Sequence, residues 1–172
     1  VDAVAYSFGP QKEVPCVRGG ALISPHITEA WRAYRDSGTL GRDAVYPHGL
    51  NFEIPEPFAA LLIHQLESAG RWKEHRQYLL RCYHDQLSGL IKIHTATSSG
   101  HLFVLQANNE TERNLLVARL LEKRIQCGIH YPLPAWIPPA SVPQAWRLSR
   151  TVLSLPLHVH MTEVDVKRVV SA

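Results

Sequence analysis

The sequence predicts a mixed α/β (α+β) fold. Short apolar runs of strand length alternate with longer segments in which apolar residues recur at helical spacing, and stretches rich in Gly, Pro and Asn separate them. The chain has 172 residues, which suffices for one domain with a core, or for one domain and a smaller piece.

The first predicted elements are two short strands. Residues 1–8 are mostly Val, Ala and aromatic, which indicates a buried strand, and a Gly-Pro pair then breaks it. A Gly-Gly pair opens a second strand at residues 21–23. Because two strands are too few to stand alone, the first half of the chain does not look able to bury its own core.

A short helix and a long loop follow. Thr28 can cap a helix that runs to Tyr34, with Ala30, Trp31 and Tyr34 on one face. Residues 39–57 are rich in Gly, Pro, Asp and Asn and predict a long loop, a kind of segment that is often functional or interfacial.

A long helix is predicted over residues 57–87, because its apolar residues keep to one broad stripe and Pro57 suits a first turn. The stripe contains Phe58, Leu62, Leu66, Ala69, Trp72, Leu79, Tyr83 and Leu87. Gly70 is a candidate position for a kink or a break. A helix of this length commonly connects two lobes.

Residues 89–172 predict a small α/β domain that can bury its own core. Its expected elements are strands at residues 90–95 and 101–107, a helix ending at residue 126, a strand at 129–131, a Pro-rich segment at 132–143, a strand at 152–155 and a helix at 163–170. Asn109, with Glu112 three residues later, caps the first helix, and Thr162 caps the last. The inward face of the first helix is expected to be Leu116, Leu120 and Leu121.

Charge and hydropathy exclude two classes of partner. The net charge is +3, from 18 basic and 15 acidic side chains spread along the chain, which is too small an excess to argue for nucleic acid. No apolar stretch approaches the roughly 20 residues that span a bilayer, and no signal peptide is visible. We therefore expect neither a nucleic-acid partner nor a membrane.

The cysteines and histidines predict a reduced environment and no metal site. Cys16, Cys82 and Cys127 are odd in number and widely spaced, which favours buried, inert thiols and a cytoplasmic protein. The chain has ten histidines, but they lack the acidic or cysteine partners of a metal signature.

One pair of residues suggests chemistry. Ser7 lies five positions before Lys12, at the end of the first apolar run. This layout suits an amine that forms a Schiff base with an aldehyde cofactor while the hydroxyl holds the cofactor's phosphate. Spacing alone leaves the plainer alternatives open: a solvated lysine in a turn and a strand-end hydroxyl that bonds the backbone.

Four segments occur in order along the chain: SFGPQK at residues 7–12 followed by RGGA at 18–21, GLNFEIPE at 49–56, HYPLP at 130–134, and LSLPLH at 153–158. Together they resemble the sugar aminotransferases of the DegT/DnrJ/EryC1/StrS family, which are pyridoxal-phosphate (PLP) enzymes of fold type I. The first two are similar to the family's Ser-Phe-x-x-x-Lys with Gly-Gly-Ala/Gly, and to its Gly-Tyr-Asn-Tyr-Arg-Met-x-Glu run. The resemblance covers essentially the whole chain.

The resemblance implies a role for five residues. Lys12 would carry the covalent link to PLP and move protons, and Ser7 would bind the phosphate. Asn51 would reach across a homodimer interface to the phosphate in the partner's site, and His130 and Tyr131 would line the substrate pocket. The complete enzyme would move an amino group, from glutamate or another amino-acid donor, to the keto-sugar of a sugar nucleotide.

The residues themselves allow plainer interpretations of three of these positions. Asn51 is also an ordinary turn residue, given its Gly neighbour, and His130 with Tyr131 is also an amphipathic pair at a strand end.

The chain departs from the family's pattern at three charged positions and by an absence. Glu13 replaces the usual Asn, Arg18 the usual acidic residue, and Glu53 the usual Arg. The phosphate loop, the ring that stacks on the cofactor and the Asp that pairs with the pyridine nitrogen precede the matched region in the family, and no residue here takes their roles.

The resemblance therefore implies the C-terminal part of such an enzyme. Residues 1–56 would be a remnant of the large domain's sheet, residues 57–88 the connecting helix and residues 89–172 the small domain. Two other functions stay open. One is a non-catalytic relative that self-associates through its strand edges. The other is a sugar-nucleotide-binding module that uses Arg18, His130 and Tyr131.

Overall fold

The fold is mixed α/β, as the sequence predicts. This computed structural model describes residues 2–40, 44–45, 48–94 and 100–172. The chain divides into two compact units, residues 1–70 and 71–172. Among the described residues, no helix is both long and apolar enough to cross a membrane.

The first unit contains a hairpin whose surface is open. Strands β1 (Val4–Ser7) and β2 (Gly20–Ile23) pair antiparallel. Every residue of β1 is exposed, so the expectation of a buried strand over residues 1–8 is wrong. The physical reason is that β1 and β2 form a two-stranded sheet with no third strand beside them in the described part of the chain.

A small apolar cluster lies at the closed end of this hairpin. Phe8, Cys16 and Leu62 are its buried members. Half-buried side chains complete it, from Val14, Ala21, Ile54 and Phe58. The cluster therefore joins the segment after β1 to the first turns of the long helix.

The helix α1 (Glu29–Arg35) turns a different face inward from the predicted one. Ala33 is its buried residue, whereas Trp31 and Tyr34 are 54% and 46% exposed. The predicted long loop contains two short paired strands, β3 (Thr39–Leu40) and β4 (Ala44–Val45). Part of that segment lies outside the described residues.

The long helix α2 (Glu56–Leu87) forms close to its predicted bounds. Its 32 residues correspond to a length of about 48 Å at 1.5 Å per residue. The helix is continuous through Gly70, so the predicted break does not occur. The two compact units meet in sequence at that glycine.

The second unit is built on a three-stranded antiparallel sheet. Strand β6 (Phe103–Gln106) lies between β5 (Lys92–Ile93) and β7 (Val152–Leu155). All four residues of β7 are buried. The predicted strand at 90–95 is shorter than expected, and its last residue, with residues 96–99, lies outside the described part of the chain.

Three helices complete this unit: α3 (Glu110–Glu122), α4 (Pro143–Thr151) and α5 (Glu163–Val170), with a 3₁₀ turn at Pro139–Ser141. Both predicted caps are confirmed. Asn109 Oδ1 accepts from Glu112 N at 2.9 Å, and Thr162 forms a reciprocal capping box with Asp165.

The core of the second unit is centred on Tyr83 and Phe103, which are fully buried and stacked with ring centroids 4.7 Å apart. The other buried members are Leu79, Leu105, Leu120, Ile125, Leu153, Leu155, Met161, Val166 and Val169. This core supports the prediction that the second half of the chain buries its own apolar residues.

Three expectations for the second unit are wrong. Leu121 is 66% exposed rather than inward-facing, although the neighbouring Leu120 is buried. The helix α3 ends at Glu122, four residues before the expected end. No strand forms at residues 129–131. Instead, Gly128 forms an isolated bridge with Ser154, and the pairing does not continue into residues 129–131.

The cysteines are unpaired, as expected. Cys16 is buried, while Cys82 and Cys127 are half-buried. Burial raises the pKa of the Cys127 thiol, which lowers its reactivity at neutral pH.

Candidate active site

Ser7 is the last residue of β1, and Lys12 lies on the exposed loop that follows it. Gly9 N donates to Ser7 Oγ at 3.5 Å, and Lys12 N donates to Gly9 O at 2.9 Å. A Cβ placed on Gly9 would lie 3.8 Å from Ser7 Oγ and 3.9 Å from Lys12 Cγ. The two side chains therefore flank the same glycine.

Backbone bonds and buried side chains fix both ends of this loop. Phe8 N donates to Gly19 O at 2.9 Å, and Cys16 N donates to Phe8 O at 2.7 Å. The side chains of Phe8 and Cys16 are 7% and 4% exposed. Buried groups thus hold an exposed hydroxyl and an exposed amine in place.

The Gly-Gly pair permits close contact with two neighbouring segments. Gly19 has φ +132°, and a Cβ there would lie 2.9 Å from Ile54 Cδ1. A Cβ on Gly20 would lie 2.6 Å from the carbonyl oxygen of Tyr6, which no side chain permits. The Gly-Gly pair and the segment that carries Asn51 therefore pack around the same loop.

Asn51 lies beside the C-terminal end of α1. It forms an isolated antiparallel bridge with Asp36, and Phe52 N donates to Arg35 O at 2.9 Å. The Asn51 side chain is exposed. Within the described ranges, no hydrogen bond links it to Ser7 or Lys12, so these contacts do not bring it into the lysine loop.

Arg35 of α1 is paired with Asp36 and has only a weak electrostatic interaction with Glu53, the replaced charge. The Arg35 guanidinium donates to both carboxylate oxygens of Asp36, at 2.7 Å for Nη2. This bond raises the pKa of Arg35, to which Glu53 adds a smaller electrostatic effect, and it lowers the pKa of Asp36. Arg18 and Glu53 form no ion pair with each other in the part of the chain that the structure describes.

In the second unit, His130 is held from two sides. Its Nδ1 lies 2.9 Å from Ser154 Oγ. A Cβ on Gly128 would lie 2.3 Å from His130 Cε1, so the ring occupies the space that any larger residue would fill. Tyr131 meets the His130 ring edge-on, with centroids 4.9 Å apart, and is itself 70% exposed.

Two residues missed at the sequence level thus support His130. Ser154 lies in a strand that is otherwise Val and Leu, and a lone hydroxyl in a buried strand signals a specific hydrogen bond. Gly128 follows the predicted end of the helix at residue 126 and would suit a helix stop, although α3 ends six residues before it. Its function is steric, because it makes room for the imidazole ring.

A cavity of about 610 Å³ opens elsewhere in the second unit. It is lined by α3, α5 and the sheet, with aliphatic walls and Lys92, Glu112 and Arg119 among its polar residues. None of the five predicted site residues lines it. Among the described residues, no group of three or more potential metal ligands comes together.

The fold defines a class. It matches the fold type I sugar aminotransferases, and the chain covers about half of such a structure. DesV of Streptomyces venezuelae, solved in complex with a ketimine intermediate, matches with a TM-score of 0.88 and 29% identity; the match covers 98% of this chain and 50% of that one.

The chain belongs to the DegT/DnrJ/EryC1/StrS aminotransferase family, whose family model matches residues 1–172. It is 31% identical over 188 residues to the erythromycin biosynthesis sensory transduction protein EryC1 of Saccharopolyspora erythraea, covering 99% of this chain and 50% of the relative. It is 30% identical over 186 residues to dTDP-3-amino-3,4,6-trideoxy-alpha-D-glucose transaminase of Streptomyces venezuelae, covering 98% and 48%. The chain spans about half the length of these relatives.

Proposed function

We propose that this chain provides the lysine-bearing part of a PLP-dependent nucleotide-sugar aminotransferase. The proposed reaction moves an amino group from an amino-acid donor, glutamate, to a keto-sugar. The observation that carries the proposal is the pairing of Ser7 and Lys12 around Gly9 on one anchored loop. Family membership and the dTDP-sugar transaminase among the relatives support it.

The residues of this loop fit PLP. A hydroxyl and an amide N–H suit a phosphate, and Ser7 Oγ and the Gly9 backbone lie together at the end of β1. An exposed amine on the same loop suits an aldehyde. When bound, the cofactor supplies the electron sink that makes the substrate's Cα–H acidic.

Lys12 and Ser7 have separate tasks in this proposal. The Lys12 amine would hold the cofactor covalently and, once released by the incoming substrate, would act as the base that takes the proton from the substrate's Cα. Ser7 orients the phosphate end, so that the reacting carbon stays near the amine. The buried anchors Phe8 and Cys16 keep both tasks on one rigid segment.

Three further residues of this chain belong to the proposed site. Asn51 donates to the phosphate in the partner's site of a homodimer, for which its exposed amide is suited. His130 and Tyr131 contact the sugar nucleotide. A cytoplasmic location, predicted from the cysteines, belongs to the same proposal.

The test is covalent capture of the cofactor. The chain is incubated with increasing PLP, reduced with borohydride and mapped by peptide mass spectrometry. We expect saturable labelling of Lys12 in preference to the other four lysines. Lys12→Ala should abolish it, and Lys73→Ala, a change on the exposed side of α2, should not. Equal labelling of all five lysines would refute the proposed role of Lys12 in this chain.

A second comparison tests Ser7. A hydrogen bond to a charged phosphate is worth about 1.5–3 kcal/mol, so Ser7→Ala should raise the PLP concentration for half-labelling roughly 10- to 150-fold. Labelling by pyridoxal, which lacks the phosphate, should not change. An equal effect on both aldehydes would show that Ser7 only shapes the loop.

One observation favours a second function, self-association without catalysis. Tyr6 and Ile23 on the hairpin are 52% and 59% exposed, and bare strands invite pairing with another copy. Sedimentation equilibrium should then show a dimer, and a stable monomer at high concentration would exclude this function. Calorimetric titration with sugar nucleotides tests the remaining option, a binding module.

A further inference from the structure

We propose that Ser154 is a positioning residue that fixes the tautomer of His130, so that Nε2–H donates to an acceptor oxygen of the sugar nucleotide. This inference rests on the proposed function, because it takes His130 to contact that ligand. It links two of the sequence segments, HYPLP and LSLPLH, through one hydrogen bond. Ser154 had no role in the lysine chemistry.

The direction of the bond follows from the surroundings of Ser154. Ser154 is 3% exposed and lies inside strand β7. Its backbone is already engaged: Ser154 N donates to Gly128 O at 2.7 Å, and Gly128 N donates to Ser154 O at 2.9 Å. Within the described ranges, the only partner of its hydroxyl is His130 Nδ1, at 2.9 Å.

A buried hydroxyl proton without an acceptor is unfavourable. Ser154 therefore donates to Nδ1, which must be unprotonated to accept. A neutral imidazole has one N–H, so its proton lies on Nε2. The tautomer is thus set by the single hydroxyl in an otherwise aliphatic strand.

Nε2 is free to meet a ligand. It has no hydrogen-bond partner among the described residues. If it were also buried, it would be among the buried side-chain atoms without a partner, and it is not. Nε2 therefore reaches solvent. Gly128 keeps the ring in this orientation, because a Cβ there would lie 2.3 Å from Cε1, and the exposed Tyr131 lies against the ring.

The first test measures the tautomer by nitrogen-15 NMR of the histidine side chains at pH 8, where neutral imidazole dominates. Loss of one signal in His130→Gln assigns the residue. We expect Nδ1 to resonate as an unprotonated nitrogen, and Ser154→Ala to produce a mixture of tautomers. Thr151→Ala is the matched control, since Thr151 is another buried hydroxyl, bonded to Gln106 and to Arg147 O instead.

The second test measures binding of dTDP and of dTDP-glucose by calorimetry. Losing one hydrogen bond from an oriented donor should weaken binding about 3- to 10-fold in Ser154→Ala. The double variant Ser154→Ala/His130→Ala should bind no more weakly than His130→Ala alone, because Ser154 acts only through the ring. An effect on both ligands places the acceptor on the diphosphate, and an effect on dTDP-glucose alone places it on the sugar.

Four results overturn the inference: a proton on Nδ1, a tautomer unchanged by Ser154→Ala, additive losses in the double variant, or no binding of either ligand by the parent chain. Capture of PLP by Lys12 is measured independently, so the proposed function can stand when this inference fails. A correct tautomer without ligand binding would confirm the positioning by Ser154 and refute the ligand.

Discussion

Gly70, near the middle of α2, and Gly89, just after its end, allow a matched test of backbone conformation. At both Gly70 and Gly89, an added Cβ meets no atom within 4 Å. Gly70 lies inside the helix, whereas Gly89 follows it with φ +82°. Because both positions have room for a methyl group, the two Gly→Ala replacements differ only in the backbone conformation that the alanine must adopt.

The two replacements should have opposite signs. Alanine is better than glycine in a helix interior by about 0.5–1 kcal/mol, so Gly70→Ala should stabilise by that amount. At Gly89, the left-handed conformation costs a side chain about 1–2 kcal/mol. A reduced unfolded-state entropy offsets about 0.4–1 kcal/mol of this cost, which leaves a loss of about 1 kcal/mol. The two variants should therefore differ by about 2 kcal/mol.

Urea unfolding followed by circular dichroism at a helical wavelength measures this difference, because α2 supplies much of the helix. A shift in the midpoint without a change in slope reports stability. The reasoning is refuted if both variants shift in the same direction, or if Gly70→Ala is no more stable than the parent chain. Either result would mean that backbone conformation does not decide the effect at open positions.

The other predictions concern the second unit. Phe103→Ala should cost about 3–5 kcal/mol in urea unfolding, since the ring is fully buried against Tyr83, whereas Leu90→Ala, at a site 78% exposed, should change stability by less than about 0.5 kcal/mol. Thr162→Ala removes a reciprocal cap with Asp165 and should cost about 1 kcal/mol; an unchanged midpoint would contradict it. Burial raises the pKa of the Tyr83 hydroxyl above the ordinary tyrosine value of 10.0. Its contribution to folding stability is therefore complete below pH 10.0 and is lost as the pH rises from there toward the raised pKa. Unfolding followed from pH 9 to pH 11 should show this decline, and Tyr83→Phe should reduce it.

Local signals in the sequence were reliable guides to helix ends. The caps at Asn109 and Thr162 form as predicted, because a capping side chain and its N3 partner are three residues apart and need nothing from the rest of the chain. The start of α2 near Pro57 is correct for the same reason. Such features are decided within one turn of backbone.

Expectations that depended on distant partners fared worse. The apolar run at residues 1–8 predicts a buried strand, yet every residue of β1 is exposed, because burial needs a covering layer that a sequence pattern does not supply. Leu121 continued a leucine pattern but lies near the end of α3, 66% exposed. Single-segment patterns give the type of an element and not what covers it.

The site residues illustrate the same limit at the level of function. Four segments carry the family resemblance, and contacts in the structure join them in pairs. Phe8, Gly19 and Ile54 bring the lysine segment and the asparagine segment around one cluster, while Ser154 bonds His130 across two others. Ser154 illustrates why the sequence alone did not join them: a serine has no chemical signature of its own, since its contact with His130 is defined only by the neighbour that the fold provides. The two residues could be paired only when the hydroxyl of Ser154 was found 2.9 Å from the imidazole.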